Sequence, residues 1–160
     1  MQIALARIAR QASSRAQVAD VLARKGVPVE AASRALDRCV ALGYLDDASF
    51  AQAFVRQRVA KRGTAPSVLR QELHRAGVAD DETRTALEGV DIDAVTEAAT
   101  DLVRRRVRSM AGLDPATRQR RLINLLLRRG HSGRSATSVV AAVLAEVNRP
   151  VEEQFDDQPE

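Results

Sequence analysis

The feature that most constrains this chain is a motif written three times. VADVLARKGVPVEAASRAL from Val18, LRQELHRAGVADDETRTAL from Leu69 and INLLLRRGHSGRSATSVV from Ile123 carry their apolar residues in one phase. In each, a Leu stands four residues before a Gly: Leu22 and Gly26, Leu73 and Gly77, Leu126 and Gly130. Ten residues past each Gly comes Leu36, Leu87 or Val140, preceded by Ala35, Ala86 or Val139. The glycines lie 51 and 53 residues apart, a period that accommodates three short helices and marks a modular helical array.

The physical reading of the motif is that each Leu-x-x-x-Gly ends the second helix of a unit. Leu points at its neighbours, and Gly takes the left-handed conformation that closes the helix. A third helix then returns the Ala-Leu or Val-Val pair to the same small core. The first helix of each unit is expected over Ala4 to Gln11, Ala48 to Arg62 and Ala94 to Met110. Strand-like alternation and Asn-Gly or Asp-Gly hairpin turns are absent. The expected fold is therefore all-α, with three tandem three-helix repeats at 1–46, 47–92 and 93–148 in an elongated, curved row, and a flexible acidic tail at 149–160. Helix starts are marked by Ser14 with Gln17 as a capping box and by Asp46, with Leu45 and Phe50 as a hydrophobic staple. Asp114 before Pro115, and Asp80, Asp81 and Glu82, mark two further starts.

The core must be built from small and aliphatic side chains, because the chain holds three Phe, one Tyr and no Trp. Cys39 is the single cysteine, which excludes an internal disulfide, and with two scattered His it makes no zinc set. The longest apolar runs are far shorter than a membrane span, and MQIALARIARQ is a poor signal peptide, so the cytoplasm is expected; a monomer is expected as well, though neither feature bears on it. Catalysis finds no footing. The acidic pairs sit beside expected helix starts, where capping explains them, and Ser132-Gly133-Arg134-Ser135 lacks the spacing and Lys of a phosphate loop. His74 is expected on a helix surface, His131 in a packing role at the turn after Gly130, and Cys39 in a core. No cofactor and no metal are expected.

Charge is the informative remainder. The formal net charge is +4, yet residues 146–160 hold six acids against Arg149 alone, leaving +9 on residues 1–145. Such a body suits a polyanion or an acidic protein surface, and the tail is a candidate competitor for the same basic face. Ten Arg stand against the single acid Asp114 between 104 and 134. Candidate contacts there are Arg104, Arg105, Arg106, Arg108, Arg118, Arg120, Arg121, Arg128 and Arg129, joined by Arg24 and Lys25 in the first unit and by Arg56, Arg58, Lys61 and Arg62 in the second. Phe50 and Phe54 are expected in the core, with Arg58 at the edge of their arc, where it must reach outward or meet an acid. Tyr44 reads as a turn anchor between units. Aromatic-basic interleaving and a recognition-helix pattern are both lacking, so weak backbone contact with single- or double-stranded DNA is favoured over stacking or base reading.

The stretch ALDRCVALGYLDDASFAQAFVRQRVAKRGTAPSVLRQELHRAGV, Ala35 to Val78, resembles the RecX family of bacterial regulators of the RecA recombinase. GYLDD, SFAQAFVRQR and RGTAP followed by LRQEL carry the resemblance, supported by LLLRRGHS in the third unit. It implies three three-helix repeats and a non-enzymatic protein of recombination, DNA repair and the SOS response. Such a protein binds RecA filaments and limits their assembly, ATP hydrolysis and strand exchange, by capping the growing end or inserting along the groove. Carried onto this chain, it assigns Tyr44, Leu45, Asp46 and Asp47 to holding the repeats in place, and Phe50, Phe54, Arg56 and Arg58 to the basic helix. Relatives commonly carry an RGYGP-like sequence where this chain has RGTAP, and Phe where it has His131.

Overall fold

The computed structural model describes residues 1–149; the acidic tail, apart from Arg149, lies outside the described residues. Among the described residues nine helices follow one another: α1 (Gln2–Arg10), α2 (Arg15–Arg24), α3 (Val29–Ala41), α4 (Asp47–Arg62), α5 (Pro66–Arg75), α6 (Asp80–Glu88), α7 (Ile92–Arg108), α8 (Pro115–Leu127) and α9 (Gly133–Val147). No strand occurs among the described residues, and the fold is all-α.

The edges lie where side-chain chemistry puts them. Ser14 and Gln17 form the reciprocal capping box at α2. Asp46 accepts from the Ser49 N–H at 3.1 Å, Asp114 from Thr117 at 2.9 Å and Ser132 from Ser135 at 3.2 Å, each satisfying an amide that a helix start leaves unpaired. Pro66 and Pro115 stand in first turns. Three acids, Asp80, Asp81 and Glu82, fill the first turn of α6, where the helix dipole favours them.

The repeat is visible atom for atom at the ends of α2, α5 and α8. Val27, Val78 and His131 each donate their N–H to the carbonyl of the motif leucine, Leu22, Leu73 and Leu126, at 3.1, 3.2 and 3.2 Å. This six-to-one closure requires a left-handed residue just before the donor, supplied by Gly26, Gly77 and Gly130 at φ 72°, 73° and 85°. The three leucines are at most 1% exposed. Each motif thus anchors its own core: Leu22 with Val18, Leu36, Cys39 and Leu45; Leu73 with Ala51, Val55, Leu69 and Leu87; Leu126 with Val103, Leu122, Val140 and Val143. Three small cores in sequence, in place of one large one, make the molecule an elongated, curved row.

The residues around the Asp46 turn go to different units: Leu45 enters the first core while Phe50 packs on the second. Tyr44 anchors its turn through the backbone, its N–H bonding Cys39 O at 2.8 Å. The residue itself is 53% exposed.

Neighbouring units meet through an equivalent contact, in which the end of one unit's second helix sits on the start of the preceding unit's second helix. At the first junction Ser14 Oγ donates to Ala76 O, and a Cβ on Gly77 would collide with Ala16. At the second junction the Ala65 N–H donates to Arg129 O at 2.9 Å, and a Cβ on Gly130 would meet Ser67 Oγ at 2.7 Å. Gly26, with no unit before it, has nothing within 4 Å.

Candidate functional site

The basic helix α4 faces three environments. Ala51 and Val55 are its buried core residues. Phe50 and Phe54 are half-buried, their ring centres 5.8 Å apart and tilted by 37°, against the second core rather than inside it. With Gln11, Ala12 and Gln17 they line a groove of about 500 Å³ between the first two units. Arg58 lies over the Phe54 ring at 4.8 Å and meets Glu72 of α5 at 3.1 Å, so it met an acid and is a tie between helices, shielded on both sides. Arg56, Lys61 and Arg62 are exposed, the last two in the final turn of α4, where the helix dipole favours cations. Arg24 and Lys25 are exposed at the end of α2.

The arginines of the third unit divide. Arg104 grips Glu146 of α9 with Nε and Nη2 at 3.0 and 3.1 Å and Asp101 with Nη1 at 3.1 Å. Its hydrogen bonds to Glu146, then to Asp101, raise its proton affinity, and the bond to Arg104 lowers the pKa of Glu146. These groups are about half exposed, so the pair orients more than it stabilises. The remaining candidates, Arg105, Arg106, Arg108, Arg118, Arg120, Arg121, Arg128 and Arg129, form no ion pair among the described residues.

Arg129 stands at the joint of the second and third units, where the Ala65 N–H donates to its carbonyl at 2.9 Å. Arg129 is partly buried and bonds Leu125 O through Nη1 at 3.3 Å, while its Nε is buried with no hydrogen-bond partner. Burial, and then the charges of Arg62, Arg106 and Arg128, lower its proton affinity. Arg62 ends α4, Arg106 stands in the last turn of α7, and Arg128 and Arg129 follow α8. Their backbones are pinned. Gly63, next to Arg62, lies so close to α7 that a Cβ would sit 2.5 Å from Ala99 N. His131, two residues past Arg129, is 8% exposed, and its Nε2 is 2.6 Å from Gly63 O.

Carboxylates are occupied with folding. Asp46 and Asp114 cap helices, and their bonds to Ser49 and Thr117 hold both below the usual carboxylate range. Asp47 accepts the Arg15 N–H at 2.7 Å, tying the second unit to the first. The His74 side chain is 77% exposed, and Cys39 is buried in the first core. Among the described residues no group of three His, Cys, Asp or Glu is placed to hold a metal ion, and no helix is long and apolar enough to cross a membrane. The contacts that sequence reasoning missed are Ser14 to Ala76, Arg58 to Glu72, Arg104 to Glu146 and the hydrogen bond of His131. All but the second join residues 42 or more apart, beyond the reach of any local pattern.

Comparison with known proteins agrees with this architecture. Residues 1–39 match the model of the RecX first three-helix domain and residues 46–87 that of the second. "Regulatory protein RecX" of Mycobacterium avium (strain 104) is 40% identical over 136 residues, 84% of this chain and 79% of the relative. The protein of that name from Thermobifida fusca (strain YX) is 39% identical over 138 residues, covering 86% and 75%. The crystal structure of RecX from Lactobacillus salivarius superposes with a TM-score of 0.63 at 19% identity over 90% of this chain and 91% of that one, which shows the shared fold. With both domain models matched and these relatives aligned over most of their length, the chain belongs to the RecX family.

Proposed function

We propose that this protein is a non-enzymatic regulator that binds the RecA nucleoprotein filament and restrains its assembly, ATP hydrolysis and strand exchange. Family membership supplies the regulatory class. The observation that carries the mechanical reading is the run of third-unit arginines without carboxylate partners among the described residues, set on a curved row of helices. A recombinase filament winds protein round DNA. A curved cationic molecule fits its groove, meets acidic protein surface and approaches the DNA backbone, and so obstructs extension or closure of the filament without chemistry of its own. Guanidinium groups suit both partners, because they pair in bidentate fashion with phosphate and with carboxylate. The exposed arginines also favour a second reading, a non-specific DNA-backbone binder with no committed recombinase partner, whose affinity falls steeply with salt.

Titrating the protein into RecA filaments on single-stranded DNA while following ATP hydrolysis separates the two, with anisotropy on free DNA in parallel. Inhibition well below one protein per recombinase subunit, with only weak binding to free DNA, supports filament binding and favours action at growing ends over the groove. Inhibition that begins only as free DNA saturates would give the function to simple competition.

A further inference from the structure

We propose that the groove between the first two units is a stacking slot for an unpaired nucleobase, lined by the rings of Phe50 and Phe54 and by the amides of Gln11, Gln17 and Gln57. Aromatic and basic residues do not interleave along the sequence, but the fold brings them together. Gln11 and Gln17 come from the first unit, and Phe50, Phe54 and Gln57 from α4. The groove holds about 500 Å³, the size of a small-molecule site. The inference goes beyond the filament reading, because the contact needs no recombinase and its failure would leave that reading standing.

The two rings are half-buried, centred 5.8 Å apart and packed against the second core from outside. Aromatic rings that line an open groove are platforms on which single-stranded bases stack. Arg58, also in the lining, is fixed over Phe54 at 4.8 Å and against Glu72 at 3.1 Å, and a guanidinium plane stacks bases as well. Two of the amides are already oriented. Gln11 Oε1 accepts from Arg7 Nη1 at 3.3 Å and Gln17 Oε1 from the Ser14 N–H at 3.3 Å, so each presents its amino group as a donor. Thymine suits such donors, since it carries carbonyl acceptors at O2 and O4. An apolar side chain in the same space would bury the amides unpaired, at a cost. Charge agrees with this choice. No carboxylate is among the described lining residues, whereas Arg7 meets Gln11, Arg10 adjoins it, and Lys61 lies one turn beyond Gln57 on α4. A base seated here brings its own phosphate towards these cations.

The test is fluorescence anisotropy of the full chain with labelled oligothymidylate and with an abasic strand of the same length and charge. The wild type binds oligothymidylate at least about fivefold more tightly, the low end of what stacking one base contributes. That ratio holds between about 50 and 200 mM salt while both affinities fall, because stacking releases no counterions. Phe50→Leu, which keeps an apolar side chain against the second core, brings the ratio close to one. Gln57→Ala, at an exposed position, lowers it at least about twofold, and decides the matter if Phe50→Leu fails to fold by circular dichroism. Gln71→Ala, at an exposed position of α5, keeps the wild-type ratio.

Equal affinity of the wild type for the two strands overturns the slot, as does binding to neither. An unchanged ratio in Gln57→Ala or in folded Phe50→Leu does the same, since the base is then held elsewhere. If N-acetyltryptophanamide abolishes the preference at concentrations where thymidine 5′-monophosphate does not, the groove takes an aromatic side chain and the nucleobase assignment fails.

Discussion

The two junctions of this molecule use the same repeat contact in opposite electrostatic settings. At the first, Ser14 Oγ reaches Ala76 O, Asp47 takes the Arg15 N–H, and the Arg15 side chain meets Asp37 at 2.6 Å, so its polar groups are matched. At the second, α4 packs directly along α7, glycine allows backbone to touch backbone at Ala99, and the like charges of Arg62, Arg106 and Arg128 act on Arg129. One joint is tied by side-chain polar contacts, whereas the other is held by backbone packing. The difference teaches that one repeat contact is secured in two ways, by side chains at the first joint and by the absence of a Cβ at the second.

Glycine substitutions should break this comparison most severely. Gly63→Ala adds a Cβ against the backbone of Ala99 at a left-handed position, φ 54°, and should cost about 3 kcal/mol or more by urea unfolding. Gly77→Ala should approach that figure, since Ala16 cannot move aside. Gly26→Ala meets open space and should cost only its backbone strain, about 1 kcal/mol. Equal losses at all three sites would mean that units do not bear on one another.

Smaller changes sharpen the contrast. Ser14→Ala removes a helix cap and leaves the Ala76 carbonyl without its partner, a loss of about 2 kcal/mol at the first junction. His131→Val, which installs the type of residue found at Val27 and Val78, keeps the packing but drops the bond to Gly63 O and should cost about 1 kcal/mol. If junction loss uncouples the row, these variants should also broaden the urea transition.

The smallest effect is that of acid. The folded-state pKa values of Asp46 and Asp114 are lowered by their caps. Their contribution is therefore complete above the ordinary carboxylate range and is lost as pH falls through their folded-state values. Asn caps a helix without titrating, so the double variant Asp46→Asn with Asp114→Asn should lose less stability than wild type between neutral and acidic pH. An identical decline would show that the caps carry no linkage.

Much of the fold was legible because its determinants are local. Leu22, Gly26 and Leu36, with their counterparts, state the helix ends and core positions within about twenty residues, and Ser14, Asp46 and Asp114 announce helix starts through side chains three residues from their targets. The site was legible in charge but not in arrangement. Sequence shows that arginines dominate residues 104–134, yet Arg104 and Arg106 stand two residues apart and have opposite fates. One turns to Glu146 on a helix 42 residues away; the other stays exposed, its charge acting on Arg129. Arg58 looked like a contact residue and is spent on Glu72 and Phe54. Such pairings depend on how helices meet, which no local spacing encodes.

The most direct test of the account is inhibition of RecA-filament ATP hydrolysis by two charge-matched variants, Arg105→Glu with Arg121→Glu in the third unit and, in the first, Arg34→Glu with Arg38→Glu at exposed positions of α3 outside the candidate contacts. Circular dichroism would confirm that both remain folded. The account predicts that the third-unit variant needs at least about tenfold more protein for the same inhibition, a loss of roughly 1.4 kcal/mol, while the first-unit variant stays close to wild type. Equal losses in the two variants, or none in the third-unit variant, would contradict it.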